Sequence, residues 1–412
     1  MTERSATSSE ALPAEVPLRR NRDFMLLWSG QIASDLGTRV TTIAFPLLVI
    51  AMTHSPAKAG IAGFCATLPY ALFYLPAGAM LDRYDRKRTM LICEVGRFLA
   101  LGSIVAAAWM GRLTFSHILV VSFVGGTFFV FFSVAEKSVV PTIVPASQLT
   151  TALARQEARS RAAVLAGPPL GGALYGIASS VPFLFDALSY AVSFVLTFLM
   201  KGELRARREG PTGSLVQEVG QGVRWLLREP FVRVSVVLVG LINIDFQALM
   251  LTLIVLVGDL GASTTMTGVV LGSYGFGGLL GALAAPRLGR HLSPRSVAVG
   301  ATWIWALLLL TLAMVTWAPA LCPLAALIAF FGPLWNVVLV GYQYRVIPDH
   351  LLSRIKSIVL LVSWGTIPLG SLIAGYLLDQ TTPRTTVLGL VALMTVIAAT
   401  ATLSPALRRV AT

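Results

Sequence analysis

The chain is short of charge, cysteine and histidine. Asp, Glu, Lys and Arg together make up 12% of its 412 residues, against roughly a quarter in an ordinary soluble domain. So little charge excludes a globular fold with a fully hydrated surface. The three cysteines, Cys65, Cys93 and Cys322, lie in or beside apolar blocks, which argues against a disulfide framework or a metal site. His54, His117, His291 and His350 fall in loops or near block ends. They build no Ser/His or His/Glu constellation, so neither an enzyme nor a metal centre is expected. No phosphate-binding G-x-x-x-x-G-K-[ST] run occurs, and no cofactor is expected. Residues 1–20 lack the apolar core of a signal peptide and read as a short disordered tail.

Apolar residues supply 56% of the chain, and mean hydropathy is +0.77. They come in blocks: Phe98 to Trp109, Leu119 to Ala135, Val181 to Met200 and Val234 to Val257 are almost free of charge. A bilayer core about 30 Å thick needs roughly 20 such residues per helix. The blocks predict an all-α membrane protein of about twelve transmembrane helices. The fifth span is expected at 160–179, the tenth at 319–342 and the eleventh at 357–378.

The net charge of +13 falls in alternate loops. Arg83, Arg86, Lys87 and Arg88 follow the second span, Arg155, Arg159 and Arg161 the fourth, and Lys201 to Arg208 the sixth. Arg287, Arg290 and Arg295 follow the eighth span, and Arg345, Arg354 and Lys356 the tenth. This is the positive-inside pattern, with both termini cytoplasmic, and it accounts for the basicity without nucleic acid.

The chain divides at its longest polar stretch. The expected organisation is a tail at 1–23, a six-helix bundle at 24–200, a linker at 201–230, a second bundle at 231–404 and a tail at 405–412. In the linker, Leu215, Val216, Val219, Val223, Leu226 and Leu227 stand at helical spacing, as in an interfacial helix. The halves echo each other: Asn21-Arg-Asp-Phe24 matches Arg228-Glu-Pro-Phe231, and Gly60 matches Gly268. Val-Pro-Ala-Ser-Gln-Leu before Gly167-Pro-Pro-Leu-Gly-Gly172 is answered by Ile-Pro-Asp-His-Leu-Leu before Ile367-Pro-Leu-Gly370. Parallel six-span repeats form pseudo-twofold bundles around a central cavity.

Two runs carry a resemblance. Gly78-Ala-Met-Leu-Asp82-Arg83-Tyr-Asp85-Arg86-Lys87-Arg88 resembles the G-x-L-a-D-r-x-g-r-k signature of the major facilitator superfamily, with Asp85 where glycine is usual. Ala163-x-x-x-Gly167-Pro168-x-x-Gly171-Gly172 resembles that superfamily's antiporter run, with Ala163 in place of glycine. Phe183-Leu-Phe-Asp186-Ala-Leu-Ser-Tyr190 and Gln221-Gly-Val-Arg-Trp-Leu-Leu-Arg-Glu-Pro230 are similar to the drug- and siderophore-exporter branch, which includes macrolide-efflux and enterobactin-exporter proteins. The resemblance implies the major facilitator fold and a latch in the first run. Gly78 would admit a close neighbour, Asp82 would cap a helix of the other half, and Arg83 and Arg86 would pair with Glu136. The second run implies export by exchange; a plain small-residue packing surface is its other reading.

Buried charges are costly in hydrocarbon unless paired or wet. Asp35 lies mid-span with Arg39 one turn on, at a spacing that allows an intrahelical pair. Asp245, flanked by Asn243 and Gln247, lies at similar depth in the repeat-related seventh span. Both acids are expected to line the cavity as proton or substrate sites. Glu94 and Arg97 are expected to snorkel near the cytoplasmic face, and Asp186 to cap the sixth span. Tyr70, Phe73, Phe246 and Trp335, with Phe128, Phe132, Trp303 and Trp364, are candidate cavity aromatics. Together these features describe a monomeric secondary transporter in a bacterial cell (inner) membrane. It would exchange protons for amphipathic small molecules such as antibiotics, other secondary metabolites or siderophores. A nutrient symporter or facilitator of the same fold is the alternative.

Overall fold

The computed structural model describes residues 17–81, 84–201, 215–348 and 351–408. Every regular element among them is helical. The first half comprises α1 (Arg22–Thr53), α2 (Pro56–Leu81), α3 (Arg86–Trp109), α4 (Phe115–Ile143), α5 (Leu149–Ile177) and α6 (Val181–Phe198). A connecting helix, α7 (Leu215–Arg228), leads to the second half. That half contains α8 (Pro230–Asp259), α9 (Thr264–Leu288), α10 (Pro294–Ala313) and α11 (Leu321–Trp335). A π-helical turn at Asn336–Val340 joins α11 to α12 (Gly341–Val346). Helices α13 (Leu352–Gly365), α14 (Ile367–Gln380), α15 (Pro383–Leu403) and α16 (Pro405–Arg408) complete the chain.

Ten helical stretches among the described residues are long and apolar enough to cross a membrane. Helices α2 and α5 fall outside that set; in α5, Arg155, Glu157, Arg159 and Arg161 occupy the first half and a run of glycines and prolines the second. Helix α5 begins at Leu149, so Arg155, Glu157 and Arg159 lie inside the helix rather than in the loop expected before residue 160. The tenth crossing is interrupted after Pro333 by the π turn, and the eleventh breaks at Thr366, ahead of Pro368. Proline removes a backbone donor, so such interruptions fall beside it.

Side-chain caps set several helix starts. Asn21 accepts from the Phe24 amide at 3.1 Å, and Asp85 from the Arg88 amide at 3.0 Å. Asp85 thus starts α3, which gives its departure from the usual glycine a physical purpose. At the other end of α3, Gly111 turns the chain toward α4 with φ +66°. The packed core centres on Trp305, 1% exposed, whose indole donates to the Ile328 carbonyl at 2.8 Å. Outward-facing apolar side chains such as Ile177, Trp109, Leu99 and Phe198 are exposed, as expected for a surface solvated by lipid.

The halves meet at the end remote from the chain termini, where α2 and α9 begin and α5 and α14 finish. A methyl on Gly60 would lie 2.8 Å from Gly375 Cα, and one on Gly268 would lie 3.0 Å from Pro169 Cα. Glycine is required wherever backbones approach so closely. The Ser55 hydroxyl donates to Asp379 at 2.8 Å and the Thr264 hydroxyl to the Gly172 carbonyl at 3.2 Å, joining the same two seams.

Candidate functional site

The antiporter-like run of α5 stands between two neighbours. A methyl on Gly167 would collide with Arg39 Cβ, and one on Gly171 would come within 2.6 Å of Ile43. These two glycines seat α5 against α1. Gly172 faces the other way: its added methyl would collide with the Thr264 carbonyl and lie 3.1 Å from Gly268. Pro169 fills the space over Gly272, whose added methyl would reach its ring at 2.5 Å. The run therefore packs within its own half through one face and across to α9 through another. Helix α9 answers with a second stripe, where Gly277 and Gly281 admit the backbones of Ala326 and Phe330 on α11.

Arg159 lies on the same α5 stripe as Ala163, Gly167 and Gly171 and is 8% exposed. Its Nε lies 2.9 Å from Asp35 Oδ2, and its Nη2 donates to Glu136 Oε1 at 2.9 Å. Gln156 adds a bond to the same Glu136 oxygen at 3.2 Å. One guanidinium therefore joins α1, α4 and α5. This corrects two expectations. Asp35 is paired with Arg159 rather than Arg39, because Arg39 leaves α1 across Gly167. Glu136 is likewise held by Arg159 and not by Arg86, which donates to the Ser138 carbonyl at 2.9 Å.

The basic run before α3 binds helix ends. Lys87 donates to the carbonyls of Phe198 at 3.0 Å and Met200 at 2.5 Å, at the negative C-terminal end of α6. Asp82 and Arg83 lie outside the described residues. A methyl on Gly78 would meet no atom within 4 Å among the described residues, so the close approach expected at that glycine is not seen among them.

In the second half, Asn243 and Gln247 share one face of α8, one turn apart. Asn243 donates to the Ser363 carbonyl at 2.9 Å, just before the α13–α14 break. Gln247 donates to Ser371 Oγ at 3.0 Å, and Ser371 itself packs on Gly60 and Gly63 of α2. Asp245 points to the opposite side. It is 0% exposed, and neither carboxyl oxygen has a hydrogen-bond partner. Tyr274 of α9 is within its electrostatic reach. Asp245 is thus sealed in the interior of its own half and does not line an open cavity in this conformation. An ionised carboxylate so placed costs several kcal/mol.

The aromatic candidates separate into two groups. Tyr70 meets Trp364 of α13 at 5.5 Å and Phe129 at 5.3 Å, and Tyr74 meets Trp364 at 5.5 Å. This cluster bridges the halves. Phe73 meets Phe123 edge-to-face and Phe131 at a tilt inside the first half. Phe246 and Trp335 pack on Trp305 at 4.9 and 5.9 Å, in the core of the second half rather than in a cavity. Phe132 is also core, 3% exposed, and Phe128 packs over Gly96. Trp303 is 45% exposed and donates to Thr402 at the lipid-facing surface.

A further polar cluster lies among α1, α3 and α6. Glu94 (0% exposed) accepts from Ser193 Oγ at 2.6 Å, and Gln31 donates to the same Ser193 at 3.1 Å. Arg97 donates to Tyr190 Oη at 2.5 Å and to Thr38 Oγ1 at 2.8 Å, with its guanidinium 3.9 Å from the Tyr190 ring centroid. Asp186 accepts from Thr41 at 2.6 Å, and from Tyr190 and Ser189 at 3.2 Å each. Glu94 and Arg97 therefore do not snorkel; they face inward, where α1 and α6 supply donors. Asp186 lies beyond the first turn of α6 and caps nothing. The signal for this cluster was the polar stripe Gln31, Ser34, Thr38 and Thr41 along one face of α1.

A family model described as a transmembrane secretion effector matches residues 14–412. The multidrug efflux pump Tap of Mycolicibacterium fortuitum is 24% identical over 400 residues, covering 93% of this chain and 96% of that protein. Macrolide efflux protein A of Streptococcus pyogenes is 23% identical over 220 residues, covering 53% of this chain and 54% of its own length. Among solved structures, a bacterial homolog of the human lysosomal transporter Spinster, inward-facing and unoccupied, superposes with a TM-score of 0.75 at 14% identity. That alignment covers 96% of this chain and 98% of the other.

Proposed function

The chain belongs to the transmembrane secretion effector family of major facilitator transporters, and we propose that it exports amphipathic small molecules in exchange for protons. As a family of membrane transporters and not enzymes, it leaves direction, driving force and cargo to be argued. The relatives named as multidrug and macrolide pumps support outward transport of antibiotics or similar secondary metabolites. They favour such cargo over siderophores.

The observation that carries the reading is the seam between α5 and α9. The antiporter-like run packs Gly172 on Gly268 across the halves, while the same helix holds Arg159 between Asp35 and Glu136. One continuous helix thereby joins the inter-half contact to a group of buried charges. In this reading the termini are cytoplasmic, the protein acts as a monomer in a bacterial cell membrane, and the closed end faces outward. The halves then rock about the α5–α9 and α2–α14 seams to open that end. Asp245 takes charge only when this motion wets it, which makes it the proposed carrier of the exchanged proton.

The test is drug accumulation in a pump-deficient bacterium carrying the chain. Lower macrolide accumulation than in the empty host, reversed by a protonophore, is the expected result. Higher accumulation with the chain present would instead establish an importer.

A further inference from the structure

Glu94 carries a chemical signature that Asp245-based exchange does not use. The cluster among α1, α3 and α6 holds two acids, Glu94 and Asp186, and one cation, Arg97, all buried within membrane-spanning helices. If both acids were ionised, the cluster would hold one uncompensated negative charge in a low-dielectric interior. The hydrogen bonds locate where that charge is quenched. Asp186 accepts at Oδ2 from Thr41 and Tyr190, and at Oδ1 from the Ser189 hydroxyl, which is shared with the Asp186 backbone carbonyl at 2.7 Å. Glu94 accepts through Oε1 alone, and its Oε2 is buried without a partner. A bare buried carboxylate oxygen is costly, whereas the hydroxyl of a neutral acid at that position carries no charge.

We propose that Glu94 is a second proton-binding site of this chain, occupied in the conformation described here and exchanging its proton when α1, α3 and α6 reorganise. The charged and titratable groups facing it are Arg97 and Cys93 from α3, and Asp186 and Tyr190 from α6; α1 contributes the uncharged Gln31. The site abuts the inter-half aromatic cluster. Arg97 lies 5.8 Å from the Phe129 ring centroid, Phe129 meets Tyr70, and Tyr70 meets Trp364 of the other half. Movement of Trp364 away from Tyr70 would loosen the wall behind Arg97 and admit water. Proton uptake adds one O–H bond at Oε2 and leaves one positive charge, Arg97, and one negative charge, Asp186, in the cluster, so no further ion is needed for balance.

The coupling role rests on the export reading above, but the proton site can be tested without transport. Infrared spectroscopy of the purified full chain reads the C=O stretch of protonated carboxyl groups. An Asp245→Asn background removes a second buried acid, whose carboxyl oxygens lack hydrogen-bond partners among the described residues. The expected result is a protonated-carboxyl band that is lost on adding Glu94→Gln and retained on adding Asp186→Asn. Ser193→Ala keeps the acid but removes the bond to Oε1, and should move the band to higher frequency. This second variant decides the matter if Glu94→Gln is not monodisperse. Transfer to D2O should lower the band frequency as the proton exchanges. A band unchanged by Glu94→Gln or by Ser193→Ala would overturn the site, and one that never shifts in D2O would overturn exchange. Failure of the efflux assay with these infrared results intact would overturn the export reading alone.

Discussion

Arg159 is the residue on which the first half's charges depend. Removing it leaves Asp35 and Glu136 without their shared cation, and breaking a buried ion pair from one side costs roughly 3–5 kcal/mol. Asp35 keeps 27% of its side chain exposed, so Arg159→Ala should fall toward the lower end, read as a loss of thermal stability in detergent. Arg159→Ala with Asp35→Asn and Glu136→Gln should recover much of that loss. Failure of the triple variant to recover would show that the pairing is incidental. Asp245→Asn should abolish gradient-driven efflux while leaving expression and thermal stability near wild type; unchanged drug resistance would remove Asp245 from coupling. At this scale the sequence was a partial guide. The positions of Asp35 and Asp245 within apolar spans were legible because charge in such runs is conspicuous. Arg159 was not, since a cluster of arginines at a span end reads equally well as a topological signal. Its phase with Gly167 and Gly171, about two and three turns along, was the available clue. Partner choice depends on how α1, α4 and α5 converge, which one-dimensional spacing does not encode.

At the scale of the helix, α9 separates two kinds of glycine. Gly268 and Gly272 touch the other half through α5, whereas Gly277 and Gly281 touch α11 within their own half. Gly277→Ala should therefore behave as overpacking within a fold, costing about 1–3 kcal/mol and lowering the melting temperature. Gly172→Ala or Gly268→Ala should instead disfavour the closed seam and leave each half intact. Spin-label distances across α5 and α9 would report this as a larger share of the separated population. Equal effects of both kinds of substitution on stability, with no change in distance, would deny the seam its special role. Small-residue spacing marked these helices as close-packed, but a glycine stripe does not name its partner. The breaks at Asn336–Val340 and Thr366 were also hidden in continuous apolar runs, although Pro333 and Pro368 mark their neighbourhood. Both are places where a crossing can bend without unfolding, and the Asn243 bond to the Ser363 carbonyl holds one of them.

For the whole molecule, the all-helical major facilitator architecture was legible from apolar blocks, alternating charge and the repeat, because a bilayer restricts spanning structures so severely. Which end of the molecule is closed was not, since alternating loop charge orients the spans but does not say at which end the two halves meet. With Cys65, Cys93 and Cys322 replaced, a Ser55→Cys, Asp379→Cys pair, at positions that meet across the same seam, should be joined at the closed end by a short cleavable bis-thiol reagent and arrest transport until the link is cleaved. Transport unaffected by the cross-link would rule out opening at that seam. The central claim is exchange of protons for exported cargo, and the purified chain in sealed proteoliposomes tests it most directly. With a macrolide on both sides and no nucleotide, an imposed pH gradient alone should drive the drug against its own gradient and opposite to the proton flux. Collapsing the pH gradient should stop it. Drug movement that ignores the pH gradient, or follows the protons in the same direction, would contradict the account.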